Sequence, residues 1–166
     1  MHGQSDAPRF LVDENAARLV RWLRLLGYDT VRVPGADDAD LVALAGREHR
    51  VLLTRDRGIL VRRPIALGEV RALHLDSDDP WQQLAQVVRA CHLDPQSTLF
   101  TRCVACNGVL EPATVEEARP HVPPFVAATQ RQFTRCPGCG RYYWRGTHWR
   151  RVTDRLAGLS DYAADS

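Results

Sequence analysis

Four of the chain's five cysteines come in two pairs, Cys103-Val-Ala-Cys106 and Cys136-Pro-Gly-Cys139, with 29 residues between them. Two thiolates spaced this way can reach one ion, and two such knuckles close a tetrahedral sulfur shell of the kind that holds structural zinc. Asn107-Gly108 follow the first pair and Gly140 the second. These residue types tolerate left-handed backbone, which lets main-chain amides turn toward sulfur. The expectation is a four-cysteine zinc site on Cys103, Cys106, Cys136 and Cys139. An iron site and a redox cysteine pair are the other uses of the pattern. His121 and His148 are needed as ligands only where a cysteine is missing. Cys91 stands alone and reads as a buried helix residue.

A second chemistry lies in carboxylates. Asp13 follows the apolar run Phe10-Leu-Val, Asp56 follows Val51-Leu-Leu-Thr-Arg, and Asp76 follows Leu73-His-Leu. Asp40 opens a helical stretch together with Asp37 and Asp38, either of which can take its place. Two carboxylates about 4 Å apart repel by about 4 kcal/mol at an effective dielectric near 20. A cluster of them therefore keeps a proton or binds a divalent cation, and oxygen-only ligands suit Mg2+ or Mn2+. Taken singly, each acid has a plain structural use as a helix cap or turn residue.

The elements that must position these acids alternate. Strands are expected at 10–12, 28–33, 51–54 and 70–75. Helices are expected over 16–26, ending at Gly27, over 37–49, and over 81–91 after Pro80. Leu19, Leu23 and Leu26 fall on one face of the first helix, with Arg18, Arg21 and Arg24 roughly opposite. Such alternation implies an α/β domain with a mostly parallel sheet, and functional groups gather outside the carboxyl ends of its strands. Asp13, Asp56 and Asp76 occupy equivalent strand-end positions.

Charge adds a constraint. All 22 Lys+Arg residues are arginine, and formal net charge is +2. A receiver-type signalling domain would explain Leu11-Val-Asp-Glu-Asn and use Asp56 as phosphoacceptor, but it needs a lysine that the chain lacks, and arginine is a poor substitute. From Arg131 to Arg155 there are seven arginines and one acid, Asp154. There Arg141-Tyr-Tyr143-Trp144-Arg145 and Arg150 interleave rings with guanidiniums, which suits single-stranded nucleic acid. The same residues can instead pack the segment against the first domain.

The stretches Phe10-Leu-Val-Asp13-Glu, Arg18-Leu-Val-Arg-Trp-Leu-Arg-Leu-Leu-Gly27-Tyr-Asp and Leu52-Leu-Thr-Arg-Asp56-Arg resemble the Mut-seven C-terminal RNase family, a branch of the PIN-like nucleases. So do Arg102-Cys103-x-x-Cys106-Asn107-Gly108 and Phe133-x-x-Cys136-Pro-x-Cys139-Gly140-Arg-x-Tyr143-Trp144-x-Gly146-x-His148-Trp149. The resemblance spans about residues 9–152. It implies a PIN-like three-layer domain over 9–95 and a small C-terminal zinc ribbon over 96–152, leaving a tail at 153–166. It also implies a metal-dependent ribonuclease in which Asp13, Asp40 and Asp56, with Asp76 as a weaker fourth, hold Mg2+ or Mn2+. Arg18, Arg55, Arg141, Arg145, Arg150, Tyr143 and Trp144 would then contact single-stranded RNA. The alternative is a non-catalytic RNA- or protein-binding module on the same scaffold. Nothing in the sequence marks an antitoxin-like partner. Met1–Pro8 is polar, with no leader-like apolar core, and no apolar run reaches a membrane span, so a cytoplasmic chain is the default expectation.

Overall fold

The computed structural model describes residues 7–164, with side chains through residue 159. The Met1–Asp6 part of the polar N-terminus lies outside the described residues. A four-stranded sheet comes first, made of β1 (Arg9–Val12), β2 (Thr30–Val31), β3 (Arg50–Thr54) and β4 (Ala72–His74). The strand order is β2-β1-β3-β4 and every pairing is parallel. β3 is buried along its whole length, as expected of an inner parallel strand covered on both faces.

Side chains alternate across this sheet. Phe10, Val12, Val51 and Leu53 point to one face, where they pack with α1 (Leu19–Leu25), α5 (Pro80–Ala90) and α8 (Thr147–Ala164). Leu11 and Leu52 point to the other, against α2 (Asp38–Glu48) and Ile59 of α3 (Arg57–Leu60). A further turn of helix, α4 (Arg63–Ala66), leads toward β4. Helices thus cover both faces. Among the described residues, no helix is long and apolar enough to cross a membrane.

Several elements differ from the sequence expectation. The periodicity predicts one helix over 16–26, but the structure has a 3-10 turn at Glu14–Ala16 and then α1. The Asp13 carboxylate caps that turn by accepting the Glu14 N–H at 2.7 Å, so the chain tightens before the helix begins. The strand expected over 28–33 is two residues long. Its outer edge meets a side chain instead of another strand, for the Thr30 N–H donates to the Asn107 amide oxygen at 3.0 Å. Cys91 ends α5 half-buried rather than lying inside it, and burial pushes its thiol up.

The tail expected from 153 is the main correction. Residues 147–164 form one helix, and Val152, Leu156 and Leu159 are buried in the core of the sheet domain. Their i, i+4, i+7 spacing gives the helix an apolar face that must be covered.

Between the sheet domain and α8 lies a small antiparallel sheet, β5 (Glu111–Ala113), β6 (Phe133–Arg135) and β7 (Tyr142–Trp144), in that order. Two short helices, α6 (Val115–Ala118) and α7 (Pro124–Thr129), fill the β5–β6 connection, and Thr114 and Glu117 form a capping box at the first.

Candidate functional site

The four paired cysteines meet. Each offers a sulfur, and all four sulfurs lie within 4.8 Å of one another. Cys103 Sγ is 3.6 Å from Cys139 Sγ, and Cys106 Sγ is 3.3 Å from Cys136 Sγ. A tetrahedral ion with bonds of about 2.3 Å sets its sulfurs about 3.8 Å apart, so the cluster has the size of a metal tetrathiolate.

The two knuckles are built alike. The Cys103 carbonyl accepts the Asn107 N–H at 2.9 Å, and the Cys136 carbonyl accepts the Gly140 N–H at 2.8 Å. Asn107 and Gly140 both take the left-handed backbone foreseen for them, at φ 72° and 76°. Gly108 packs closely on the cluster, since a Cβ there would crowd Cys136 Sγ at 3.1 Å. Burial opposes a Cys103 thiolate, but the Tyr143 hydroxyl at 3.0 Å and the Cys106 and Ala105 amides outweigh it and bring the thiol down to about 6. The Gly108 amide favours a Cys106 thiolate, yet the Cys136, Cys103 and Cys139 sulfurs push that thiol up to about 12. A cation is what lets all four sulfurs carry charge together.

The acids sit where the topology places strand ends. The chain reverses direction across the sheet between β1 and β3, and their carboxyl ends form the switch point at which α/β sheets bind ligands. Asp13 follows β1, and Asp56 lies two residues beyond β3. The Thr54 hydroxyl joins them, donating to Asp13 Oδ2 at 2.7 Å and accepting the Asp56 N–H at 2.9 Å. Asn15 adds a second tie through its amide, which donates to Asp13 Oδ2 at 3.1 Å and accepts the Arg55 N–H at 3.0 Å.

The remaining acids lie apart from this pair. Asp37 caps α2 by accepting the Asp40 N–H at 2.9 Å, and Asp40 itself is exposed in the first turn. Asp38 pairs with Arg62 at 3.5 Å. Asp76 meets His74 Nδ1 at 3.1 Å, while His74 Nε2 lies 3.2 Å from the Arg55 carbonyl, which ties β4 to the end of β3. Among the described residues, the four cysteines are the only group of three or more acids, histidines or cysteines with ligand atoms within 4.8 Å of one another. The acid pattern therefore resolves into a joined pair, Asp13 and Asp56, with Asp40 and Asp76 flanking it on neighbouring connections.

The residues singled out for RNA divide in a similar way. Arg18, at the N-terminus of α1, is exposed, as is Arg55 just past β3. Arg145 lies over the Trp149 ring at 5.1 Å, and Arg141 and Arg150 are exposed. Tyr143 and Trp144 are half-buried: one touches Cys103, and the other packs on Phe133 within the ribbon.

Thr54, Asn15 and His74 escape sequence reasoning, since each acts through contacts that only the fold creates. A further unforeseen group is Asp29. Arg50, whose side chain is only 5% exposed, donates to its Oδ1 at 2.7 Å, Asn107 donates to the same oxygen at 2.8 Å, and Arg9 reaches Oδ2 at 3.1 Å. Burial opposes this charge, but Arg50, Asn107 and Arg9 together hold the carboxyl well below the usual carboxylate range. Asp29 thereby fastens the first cysteine knuckle to the edge of the sheet.

Fold and site together define an α/β domain joined to a four-cysteine cluster that can hold a metal ion. The family model of the Mut7-C RNAse domain matches residues 8–156, and the chain belongs to that family. No curated protein and no solved structure matches it.

Proposed function

We propose that the chain is a divalent-metal-dependent ribonuclease whose hydrolytic site is the carboxyl edge of the parallel sheet. Asp13 and Asp56 are its centre, with Asp40 and Asp76 as flanking acids. The observation that carries this reading is the Thr54 hydroxyl at the switch point, which links the Asp13 carboxylate to the main-chain N–H of Asp56. Family membership supplies the reaction class.

The donor set suits a hard cation. Asp56 Oδ1 accepts the Gly58 N–H at 2.7 Å, and Oδ2 takes no hydrogen bond among the described residues. A Mg2+-type ion keeps much of its water and needs only one or two carboxylates besides substrate oxygens. When bound, such an ion stabilises charge on the scissile phosphate and makes water acidic enough to react near neutral pH. The chain's own residues do the positioning. Thr54 and Asn15 fix the Asp13 carboxylate, Asp56 is held by its amide, and His74 ties Asp76 to the same edge. In this reading zinc fills the cysteine site as a structural ion, and Arg18, Arg55, Arg141, Arg145 and Arg150 attract a single RNA strand, with Tyr143 and Trp144 beside them.

A non-catalytic RNA- or protein-binding module is the second reading, favoured by the lack of a three-acid cluster within 4.8 Å among the described residues. Labelled single-stranded RNA given to the zinc-loaded chain with Mn2+ separates the two. Wild type is expected to cleave, and Asp13→Asn and Asp56→Asn each to fall at least about 100-fold, the scale of losing electrostatic stabilisation at a reacting centre. Binding without cleavage, or cleavage that survives in both variants, overturns the nuclease reading.

A further inference from the structure

A cleft of about 570 Å3 runs beside α1. Arg18 and Arg21 of α1, Arg151 and Arg155 of α8, and His148 line it, and Trp22 forms part of its wall. All four arginines are exposed, no carboxylate lines the cleft, and none of the four makes an ion pair among the described residues. Arg9, Arg32, Arg50 and Arg62 pair with acids; what sets the cleft apart is that four arginines unpaired among the described residues line one cavity. Four guanidiniums gathered without acids repel one another, and an anion relieves that repulsion.

The cleft is also built. Arg155 stands over Trp81 at 4.5 Å and over Trp22 at 5.3 Å, and the two rings meet edge to face at 5.3 Å. That arrangement holds one guanidinium in place across α1, α5 and α8. Arg21 Nη2 lies 3.4 Å from His148 Nε2. Leu25 and Val152 give the cleft an apolar wall.

Its position matters as much as its charge. Ala17 and Pro80 also line it. They lie at the starts of α1 and α5, the helices that follow the carboxyl ends of β1 and β4. From Arg18 to Leu25 the cleft extends about 10 Å along α1 at 1.5 Å per residue. It therefore leads away from the edge that carries Asp13 and Asp56.

We propose that this cleft is the RNA-binding track of the protein: Arg18, Arg21 and Arg151 hold the phosphates of one single strand whose neighbouring nucleotides reach the acidic edge, with sugar or base on the Leu25–Trp22–Val152 wall. The volume falls in the usual range of small-ligand sites, about 300–1,000 Å3, and suits a nucleotide unit. The inference deepens the ribonuclease reading and rests on it for the identity of the anion. It moves the main RNA contact from the arginines of the cysteine ribbon to the α1–α8 seam.

The test is fluorescence anisotropy of a labelled single-stranded oligoribonucleotide on the full zinc-loaded chain, without Mg2+ or Mn2+, at several salt concentrations. Arg21→Ala with Arg151→Ala is compared with Arg63→Ala with Arg119→Ala, which removes equal charge from exposed sites elsewhere. Circular dichroism checks that each folds. The cleft pair is expected to weaken binding at least about tenfold and to flatten the salt dependence by about 0.7 per lost phosphate contact. The control pair is expected to change binding less than about twofold. Equal losses in the two pairs, or no loss in the cleft pair, overturn the inference. Adding Mn2+ afterwards keeps the two readings distinguishable. Cleft-dependent binding with no cleavage sinks the nuclease alone, and cleavage indifferent to the cleft pair at subsaturating RNA sinks the track alone.

Discussion

On one face of the parallel sheet 20 side chains are buried, and seven on the other, whereas the core of the cysteine ribbon has four among the described residues, Ala118, Val122, Ala127 and Phe133. Apolar burial can hold the first region together unaided. A four-residue core cannot, and small modules of that kind draw their folding energy from a metal. The difference extends to how each region carries chemistry. The ribbon concentrates its ligands in two local knuckles, while the sheet gathers acids that are far apart in sequence at one edge. α8 crosses the divide, since it follows the ribbon in sequence and completes the core of the sheet.

Metal removal should break the comparison most visibly. Chelation, or Cys136→Ser, is expected to abolish hydrogen-exchange protection across β5–β7 while β1 and β3 stay protected, because structural zinc contributes on the order of 10 kcal/mol to folding such modules. Equal loss in both sheets would mean that the regions fold as one unit. The next largest effect falls on the crossing helix. Leu156 is fully buried, so Leu156→Ala is expected to destabilise the sheet domain by about 2–5 kcal/mol in urea titrations. No effect would detach α8 from that core.

Asp29 sharpens the boundary between the regions. Asp29→Asn leaves the buried Arg50 guanidinium with Glu48, at 2.6 Å, as its remaining charge partner, and should cost about 2 kcal/mol, below the usual figure for breaking a buried pair because Glu48 stays and Asp29 is itself partly exposed. The pH dependence has a definite sign. The folded state holds this carboxyl below its ordinary value. Its contribution is therefore complete above about pH 5, and is lost as pH falls through the ordinary carboxylate value near 4 and on toward the folded one. Asp29→Asn should flatten that acid limb in thermal melts across pH 2–6. An unchanged limb would remove Asp29 from the seam. Smallest in stability is Thr54→Val, at about 1 kcal/mol. Its expected effect on Mn2+-dependent cleavage is larger, about tenfold, because it unties Asp13 from Asp56.

The sequence makes some of these parts legible and hides others for physical reasons. Phe10-Leu-Val and Val51-Leu-Leu-Thr read as strands because inner parallel strands are apolar on both faces. Asp37 and Pro80 mark the starts of α2 and α5 because first-turn signals act locally. The cysteine knuckles are visible for the same reason, since both sulfurs of a pair and their supporting amides lie within a few residues. Asp29 leaves no such trace, as its partners Arg50 and Asn107 lie 21 and 78 residues away. The apolar spacing of Val152, Leu156 and Leu159 is present in the sequence but lies among Arg150, Arg151 and Arg155, which make the segment read as a polar end. The arginine cleft is assembled from α1, α5 and α8, and no window of sequence contains it.

The central claim is that two metals sort by ligand chemistry, a soft-ligand ion in the ribbon and a hard one at the sheet edge. Anomalous diffraction at the zinc and manganese edges, from crystals of the full chain soaked in Mn2+, tests it most directly. The account predicts a zinc peak among Cys103, Cys106, Cys136 and Cys139 and a manganese peak beside the carboxylates of Asp13 and Asp56. A zinc peak with no manganese at that edge would contradict it.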